Sequence, residues 1–226
     1  QVAALVNADP RDLLFTSGAT EGVNLAVLGA ARGNRDRGRH VVTSRTEHRA
    51  VQDACRRLER EGFRVSWLRP DEGGIVTPAQ VAEALESDTV LVSLMHVNNE
   101  LGVIQDVAAV ARRCRDRGVL LHVDAAQSAG RIPVDVAALD ADLLSFSAHK
   151  LYGPKGIGAL YVRRDPRPTL EPLQFGGGHE GGLRSGTLAT HQIVGFGLAA
   201  AIAARELGAD MARIGALREQ LAARIM

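Results

Sequence analysis

The chain has 226 residues, of which 46% are hydrophobic and 23% charged, a balance typical of a globular protein with one large or two small domains. A formal net charge of +1, with the basic residues spread along the chain, favours neither nucleic acid nor an anionic membrane surface as a partner. The two cysteines, Cys55 and Cys114, lie in arginine-rich helical patterns without metal-ligand spacing, which argues against a disulfide scaffold and for a reducing, cytoplasmic compartment.

The two ends of the chain suggest that it is a piece of a longer protein. The first residue is Gln1 rather than Met, and the first six residues resemble the tail of a helix. No signal peptide opens the chain, and we find no apolar run long enough to cross a bilayer. The stretch from residue 211 to residue 226 is amphipathic and stops without Gly or Pro.

The first predicted strand, Leu13–Thr16, leads into the small-residue turn Ser-Gly-Ala-Thr-Glu-Gly and a predicted helix over residues 23–31. A strand, such a turn and a helix start point free N–H groups and the positive end of the helix dipole at an anion. The turn is therefore a candidate phosphate site. Ordinary helix capping is the alternative, and the turn matches neither the P-loop nor the dinucleotide fingerprint.

Strands and helices alternate through the rest of the chain. We predict strands at residues 40–44, 64–68, 89–95, 119–124, 143–147 and 158–162, and helices at 46–62, from 77 onward, at 106–117 and at 189–207, with a glycine-rich loop at 176–182. Several of these strands are continuously apolar, as in sheets that are buried on both faces. The sequence therefore predicts an α/β fold with a mostly parallel sheet flanked by helices on both faces.

Lys150 and Lys155 are the only lysines in the chain. Because an arginine guanidinium stays protonated, an amine nucleophile has to be one of these two residues. Lys150 follows a strand end beside Ser147 and His149, two donors suited to a phosphate, which predicts a lysine that holds an aldehyde cofactor such as pyridoxal phosphate (PLP). A surface lysine at a strand end is the plain alternative.

The other needs of PLP are met at neighbouring strand ends, where parallel α/β sheets bind ligands. A buried carboxylate would favour a protonated ring nitrogen, and Asp124 ends a strand. Each candidate could instead be a cap or turn residue. The remaining candidates are phosphate donors (Ala19, Thr20, Ser147, His149), a residue to stack on the ring (His48) and donors to the phenolic oxygen (Asn99, Gln127).

A metal site is a minor alternative. His122, Asp124 and His149 would be its ligands, but their spacing matches no known ligand motif. We expect His122 to be a packed strand residue, since lone strand histidines usually pack in the interior.

Six motifs carry a resemblance to a known family: residues 15–21 (FTSGATE), 46–48 (TEH), 95–100 (MHVNNE), 122–127 (HVDAAQ), 145–150 (SFSAHK) and 184–187 (RSGT). Together they resemble the cysteine desulfurases of the class V aminotransferase superfamily, which are fold type I PLP enzymes. The resemblance covers essentially the whole chain and is strongest to the iron–sulfur cluster branch.

The resemblance implies roles for individual residues. Lys150 would bind the cofactor aldehyde, and His48 would stack on the ring and assist proton transfer, so these two are the catalytic candidates. Asp124 would pair with the ring nitrogen. Thr187 would reach the phosphate of a neighbouring subunit, which implies a homodimer. The remaining cofactor contacts would be Gln127 at the phenolic oxygen, Asn99 at the ring oxygen and substrate, and Thr20, Ser147 and His149 at the phosphate.

The implied reaction takes sulfur from L-cysteine, leaves L-alanine and passes a persulfide sulfur to acceptor or iron–sulfur scaffold proteins. Residues 1–207 would form the PLP-binding large domain, and residues 208–226 would begin a helix toward a small C-terminal domain. Cys55 and Cys114 match no persulfide-carrying loop, so we expect the chain to hold PLP without completing sulfur transfer. Other class V PLP enzymes, such as a selenocysteine lyase or an aminotransferase, and an inactive dimerisation or scaffold module are the alternatives.

Overall fold

A seven-stranded sheet forms the centre of the computed structural model, which describes residues 1–225. Its strands are β1 (Leu13–Thr16), β2 (His40–Ser44), β3 (Arg64–Leu68), β4 (Thr89–Met95), β5 (Leu120–Asp124), β6 (Leu143–Ser147) and β7 (Gly158–Val162). Their order in the sheet is β1-β7-β6-β5-β4-β2-β3. The five strands from β6 to β3 are parallel, so the predicted mostly parallel sheet is confirmed.

β7 is the exception, because it runs antiparallel to both of its neighbours, β6 and β1. The connection from β6 to β7 spans residues 148–157 and contains only a 3₁₀ turn, Ala148–Leu151. A parallel return normally needs a crossover of a dozen or more residues. The short connection therefore reverses the chain, and it places the predicted cofactor lysine on the turn between the two strands.

The helices lie in the connections between the strands. They are α1 (Val2–Leu5), α2 (Ala19–Asn24), α3 (Ala30–Gly33), α4 (Arg49–Arg60), α5 (Pro78–Ala84), α6 (Val107–Arg115) and α7 (Thr190–Ile225). A π-helical segment, Leu25–Gly29, joins α2 to α3 without a break. The helix predicted at residues 23–31 therefore starts four residues earlier, at the turn, where Gly18 adopts φ 153°.

Two apolar clusters cover the two faces of the sheet. Val42 and Leu144 belong to the cluster under α5, α6 and α7, whereas their strand neighbours Val41 and Leu143 belong to the cluster under α2, α3 and α4. Alternate residues of a strand point to opposite faces. The helices therefore cover both faces, as the sequence predicts.

α7 is a single helix of 36 residues, whereas the sequence suggested one helix ending at residue 207 and a separate amphipathic stretch. Gly208 lies inside it, where a glycine costs only about 1 kcal/mol relative to alanine. By length and composition α7 could also cross a bilayer, which corrects the expectation that no run is long enough. A single helix of this kind is weak evidence for a membrane span. Near its start, α7 packs on the sheet through Phe196, which lies edge-on against Phe146.

Candidate active site

A cavity of about 520 Å³ opens where the parallel strands end, beside the first turn of α2. It gathers residues that are far apart in sequence, as expected at the carboxyl edge of an α/β sheet. Nine of the ten predicted site residues line it, and Thr187 is the exception. The nine are Ala19, Thr20, His48, Asn99, Asp124, Gln127, Ser147, His149 and Lys150.

The turn before α2 is held close to the sheet by a glycine on β7. A Cβ atom built on Gly158 would lie 2.7 Å from the Gly18 backbone and 2.7 Å from the Phe146 carbonyl oxygen. Real Cβ atoms do not approach that closely. Gly158 therefore lets the turn lie directly on the sheet, and the start of α2, where an anion would be stabilised, lines the cavity.

Ser147 and His149 lie on the same side of the cavity as this turn. The Ser147 hydroxyl and His149 Nδ1 are 2.8 Å apart. Burial, together with the positive charges of Lys150 and Lys155, lowers the pKa of His149. One of the two groups donates this hydrogen bond, so a hydroxyl and a neutral imidazole together keep one proton to donate to a phosphate oxygen.

Asp124 ends β5 and is only 4% exposed. One of its oxygens accepts the Ala126 N–H at 2.9 Å. Burial raises its pKa, while that hydrogen bond and the positive charge of Lys150 act in the opposite direction. A buried carboxylate is stabilised by a cationic partner, so this position suits a protonated ring nitrogen.

The two lysines of the cavity occupy different surroundings. The charge of Lys150 is felt at Asp124, and its side chain is half-buried. Lys155 is exposed, and its charge is felt at His149. Of the two amines, Lys150 is therefore the one whose charge acts on the buried carboxylate, and an aldehyde bound to it would lie in the same cavity as Asp124.

His48 forms the N-cap of α4. Its Nδ1 accepts the Ala50 N–H at 3.1 Å, so a neutral ring carries its proton on Nε2. This cap fixes the position of the imidazole at the mouth of the cavity. The donor set as a whole fits PLP, with one amine, one buried carboxylate, one imidazole and a cluster of anion-binding donors around a single space.

His122 packs inside the sheet, as the sequence predicts. It is fully buried, and its two ring nitrogens lie 2.8 Å from the Ser93 hydroxyl and 3.0 Å from the Ser145 hydroxyl. Among residues 1–225, the metal-type cluster found within coordination range is a different one, His40 with Glu86 and Asp88. The alternative site of His122, Asp124 and His149 is therefore not assembled.

The sequence analysis did not name two acidic residues, one in the cavity lining and one directly beside it in the chain, although both lie in the six motifs. Glu21, in the first turn of α2, accepts the Ser17 N–H at 2.6 Å and pairs with Arg184 at 2.8 Å. That ion pair ties the segment of Thr187 to the turn. Glu47 is buried directly before His48. A carboxylate placed between a strand end and a predicted site residue is the signal that would have found it.

The model of the family described as "Aminotransferase class-V" matches residues 1–226 of the chain. The chain belongs to the class-V aminotransferase family. Members of this family depend on PLP, which agrees with the donor set of the cavity. The family membership also explains why the site residues sit at successive strand ends of one sheet.

Individual relatives are more specific than the family. The chain is 60% identical over 221 residues to a protein of Shewanella woodyi named "Cysteine desulfurase IscS", covering 98% of this chain and 55% of that protein. A solved structure titled "NIFS-LIKE PROTEIN" matches with a TM-score of 0.95 and 39% identity, over 100% of this chain and 62% of that one. Another, "SspA in complex with cysteine", matches with a TM-score of 0.85 and 43% identity, over 88% and 57%. The chain thus spans about half the length of the curated relatives it matches.

Proposed function

We propose that this chain is the PLP-binding part of a cysteine desulfurase. The observation that carries the proposal is the single cavity lined by both Lys150 and the buried Asp124, in a chain that is 60% identical to a protein named cysteine desulfurase. Because the chain spans 55% of that relative's length, activity, substrate and partners are all part of the proposal.

Each of the nine predicted site residues that line the cavity has a defined task in this proposal. PLP, when bound, supplies an electron sink that weakens bonds to the substrate Cα. Lys150 binds its aldehyde, and the negative charge of Asp124 favours a protonated ring nitrogen. His48 lies against the ring and holds a proton near the substrate. The other contacts are Asn99 and Gln127 at the phenolic oxygen, and Ala19, Thr20, Ser147 and His149 at the phosphate.

L-cysteine is the substrate that the relatives support, since one is named a desulfurase and another was solved with cysteine. In the overall reaction, a protein thiol takes the substrate sulfur to become a persulfide, and the remaining carbon skeleton gains hydrogen to become L-alanine. The thiol has to be a thiolate to attack. Burial raises the pKa of Cys55 and of Cys114 to about 12, so neither is suited to this step.

We further propose a homodimer that hands sulfur to an acceptor or iron–sulfur scaffold protein in the cytoplasm. Exposed apolar side chains along α7, such as Leu198 and Leu217, support an interface there. Thr187 is exposed and outside the cavity lining, which is compatible with reaching a neighbour's phosphate. Residues 1–207 as the cofactor domain, with 208–226 leading out of it, remain our proposed division of the chain.

Borohydride trapping tests the cofactor site. Purified chain is mixed with PLP, reduced with borohydride, digested and analysed by mass spectrometry. We expect the label on Lys150 and a visible absorbance band that Lys150→Ala abolishes. Lys155→Ala is the matched control, because it removes the other lysine of the same cavity, and it should keep the band. A label on Lys155, or a colourless protein that ignores PLP, would contradict the proposed site.

The products formed from L-cysteine test the reaction. We expect the chain, supplied with PLP and an external thiol, to release L-alanine rather than pyruvate. If the chain acted on selenocysteine but not on L-cysteine, a selenocysteine lyase would be favoured. Transfer of the amino group to a keto acid would favour an aminotransferase. Persulfide on Cys55 or Cys114 would refute the proposal that neither thiol serves in this step.

A further inference from the structure

Glu47 is a buried carboxyl group for which the proposed function has no use. Its side chain is 3% exposed, and one oxygen, Oε1, accepts the Met95 N–H at 2.8 Å. Within the described part of the chain, no hydrogen-bond partner reaches the other oxygen, Oε2. Buried carboxyl groups with an unused oxygen are rare, since desolvation is costly. Such a group calls for an explanation.

The carboxyl group of Glu47 joins two parts of the site. The segment of residues 46–48, which carries His48, links β2 to α4. Met95 is the last residue of β4, from which the chain continues to Asn99. The Glu47 contact therefore fastens the His48 segment to the strand end beside it. Two side-chain amides also donate to backbone carbonyls of this segment, Asn98 to Thr46 at 3.0 Å and Gln52 to Glu47 at 2.7 Å.

The charge state of Glu47 is linked to that of Asp124. Met95 and Asp124 are register partners on adjacent strands, so the two carboxyl groups occupy one buried region. Burial raises the pKa of Glu47 well above its usual value, and the negative charge of Asp124 raises it further, against the effect of the Met95 N–H. The nearby Cys55 thiol is also buried, and burial raises its pKa to about 12. Asp124 has a positive neighbour in Lys150, whereas no positive group among residues 1–225 opposes the burial of Glu47.

We propose that Glu47 is a positioning residue of this site. As an uncharged carboxylic acid it fastens the His48 segment to the end of β4 and leaves the negative charge of the pair on Asp124. When two carboxyl groups share a buried region, one takes up a proton and the other stays ionised. This inference rests on the proposed function, because the charge on Asp124 matters through the ring nitrogen of PLP.

Three variants of the chain test this role through the dissociation constant for PLP, measured by absorbance titration, and the melting temperature. Glu47→Gln keeps the acceptor without the acid, and Glu47→Ala removes both. Asp142→Ala is the matched control. Asp142 is also a buried carboxylate, 1% exposed, and it accepts the Leu121 N–H at 2.8 Å. It lies just before the amino end of β6, away from the site. We expect Glu47→Ala to raise the dissociation constant about tenfold, the effect of one lost buried hydrogen bond, and Glu47→Gln to change it less than about twofold. Asp142→Ala should lower the melting temperature alone.

The pH dependence of the bound-cofactor absorbance separates positioning from simple packing. If Glu47 is uncharged, Glu47→Gln leaves the profile unchanged between about pH 6 and pH 9. A shifted profile would show an ionised Glu47 and overturn the proposal, even if Glu47→Ala does not fold. Equal affinities for Glu47→Ala and Asp142→Ala would also overturn it. If the unaltered chain binds no PLP, the proposed function fails and this inference fails with it. If the unaltered chain binds PLP and both Glu47 variants bind it equally well, only the inference is refuted.

Discussion

Replacing His122 by glutamine should flatten the dependence of stability on pH. His122 is fully buried on the strand that ends at Asp124, between the hydroxyls of Ser93 and Ser145. Burial lowers its pKa from 6.5 to about 3. Below pH 6.5 the unfolded chain therefore binds a proton that the folded chain excludes. The contribution of the neutral His122 ring to the free energy of unfolding is fully present above pH 6.5 and is lost as the pH falls toward 3.

The size of this effect follows from the same two pKa values. Between neutral pH and about pH 5, a shift from 6.5 to about 3 removes about 2 kcal/mol from the free energy of unfolding. Urea unfolding at both pH values measures the change for the unaltered chain and for His122→Gln. We expect the loss on acidification to be about 2 kcal/mol smaller in the variant. Other titrating groups cancel in this comparison. Equal losses in both proteins would refute the argument that His122 is held neutral.

Three further predictions concern the site and the core. Gly158→Ala should raise the dissociation constant for PLP about tenfold or more, because the new Cβ displaces the turn at α2; an unchanged constant in absorbance titration would contradict this. Phe196→Ala, at a fully buried position, should cost about 3–5 kcal/mol in urea unfolding, and a cost near zero would place it outside the core. Cys55 and Cys114 should resist iodoacetamide until urea is added, since pKa values of about 12 leave little thiolate; rapid labelling of the native chain, followed by mass spectrometry, would show exposed thiols.

The strands were predictable because their signal is local. Runs of apolar and β-branched residues gave the positions of β1, β2, β3, β4, β6 and β7 as the structure has them, and β5 to within one residue. The antiparallel direction of β7 was not stated in advance. It depends on the absence of a crossover helix between β6 and β7.

Helix ends were less predictable, because caps and tertiary packing decide them. His48 lies outside α4 as its N-cap, although the predicted helix began at residue 46. At the other end of the chain, the sequence predicted a helix that ends at residue 207, directly before Gly208. The fold instead carries α7 through this glycine, since packing of the first turns over the sheet outweighs a small local cost.

For the site, residue types came from the sequence and proximity from the fold. The need for one amine and one carboxylate selected Lys150 and Asp124 before any geometry was known. The folded chain adds that the charge of Lys150 acts on this carboxylate, whereas the charge of Lys155 acts on His149. Glu47 shows the limit most clearly, because its neighbours come from other strands.

The sequence by itself determined the strands, the α/β class and the chemical types of side chain available at each strand end. Those properties follow from local hydrophobic periodicity and from what each functional group can do. The tertiary structure alone decided that both lysines share one cavity with the buried carboxylate, that Glu47 is buried beside Asp124, and that Thr187 lies outside the cavity lining. Burial and charge–charge distance fix these outcomes, and both arise only when distant strands come together in one sheet.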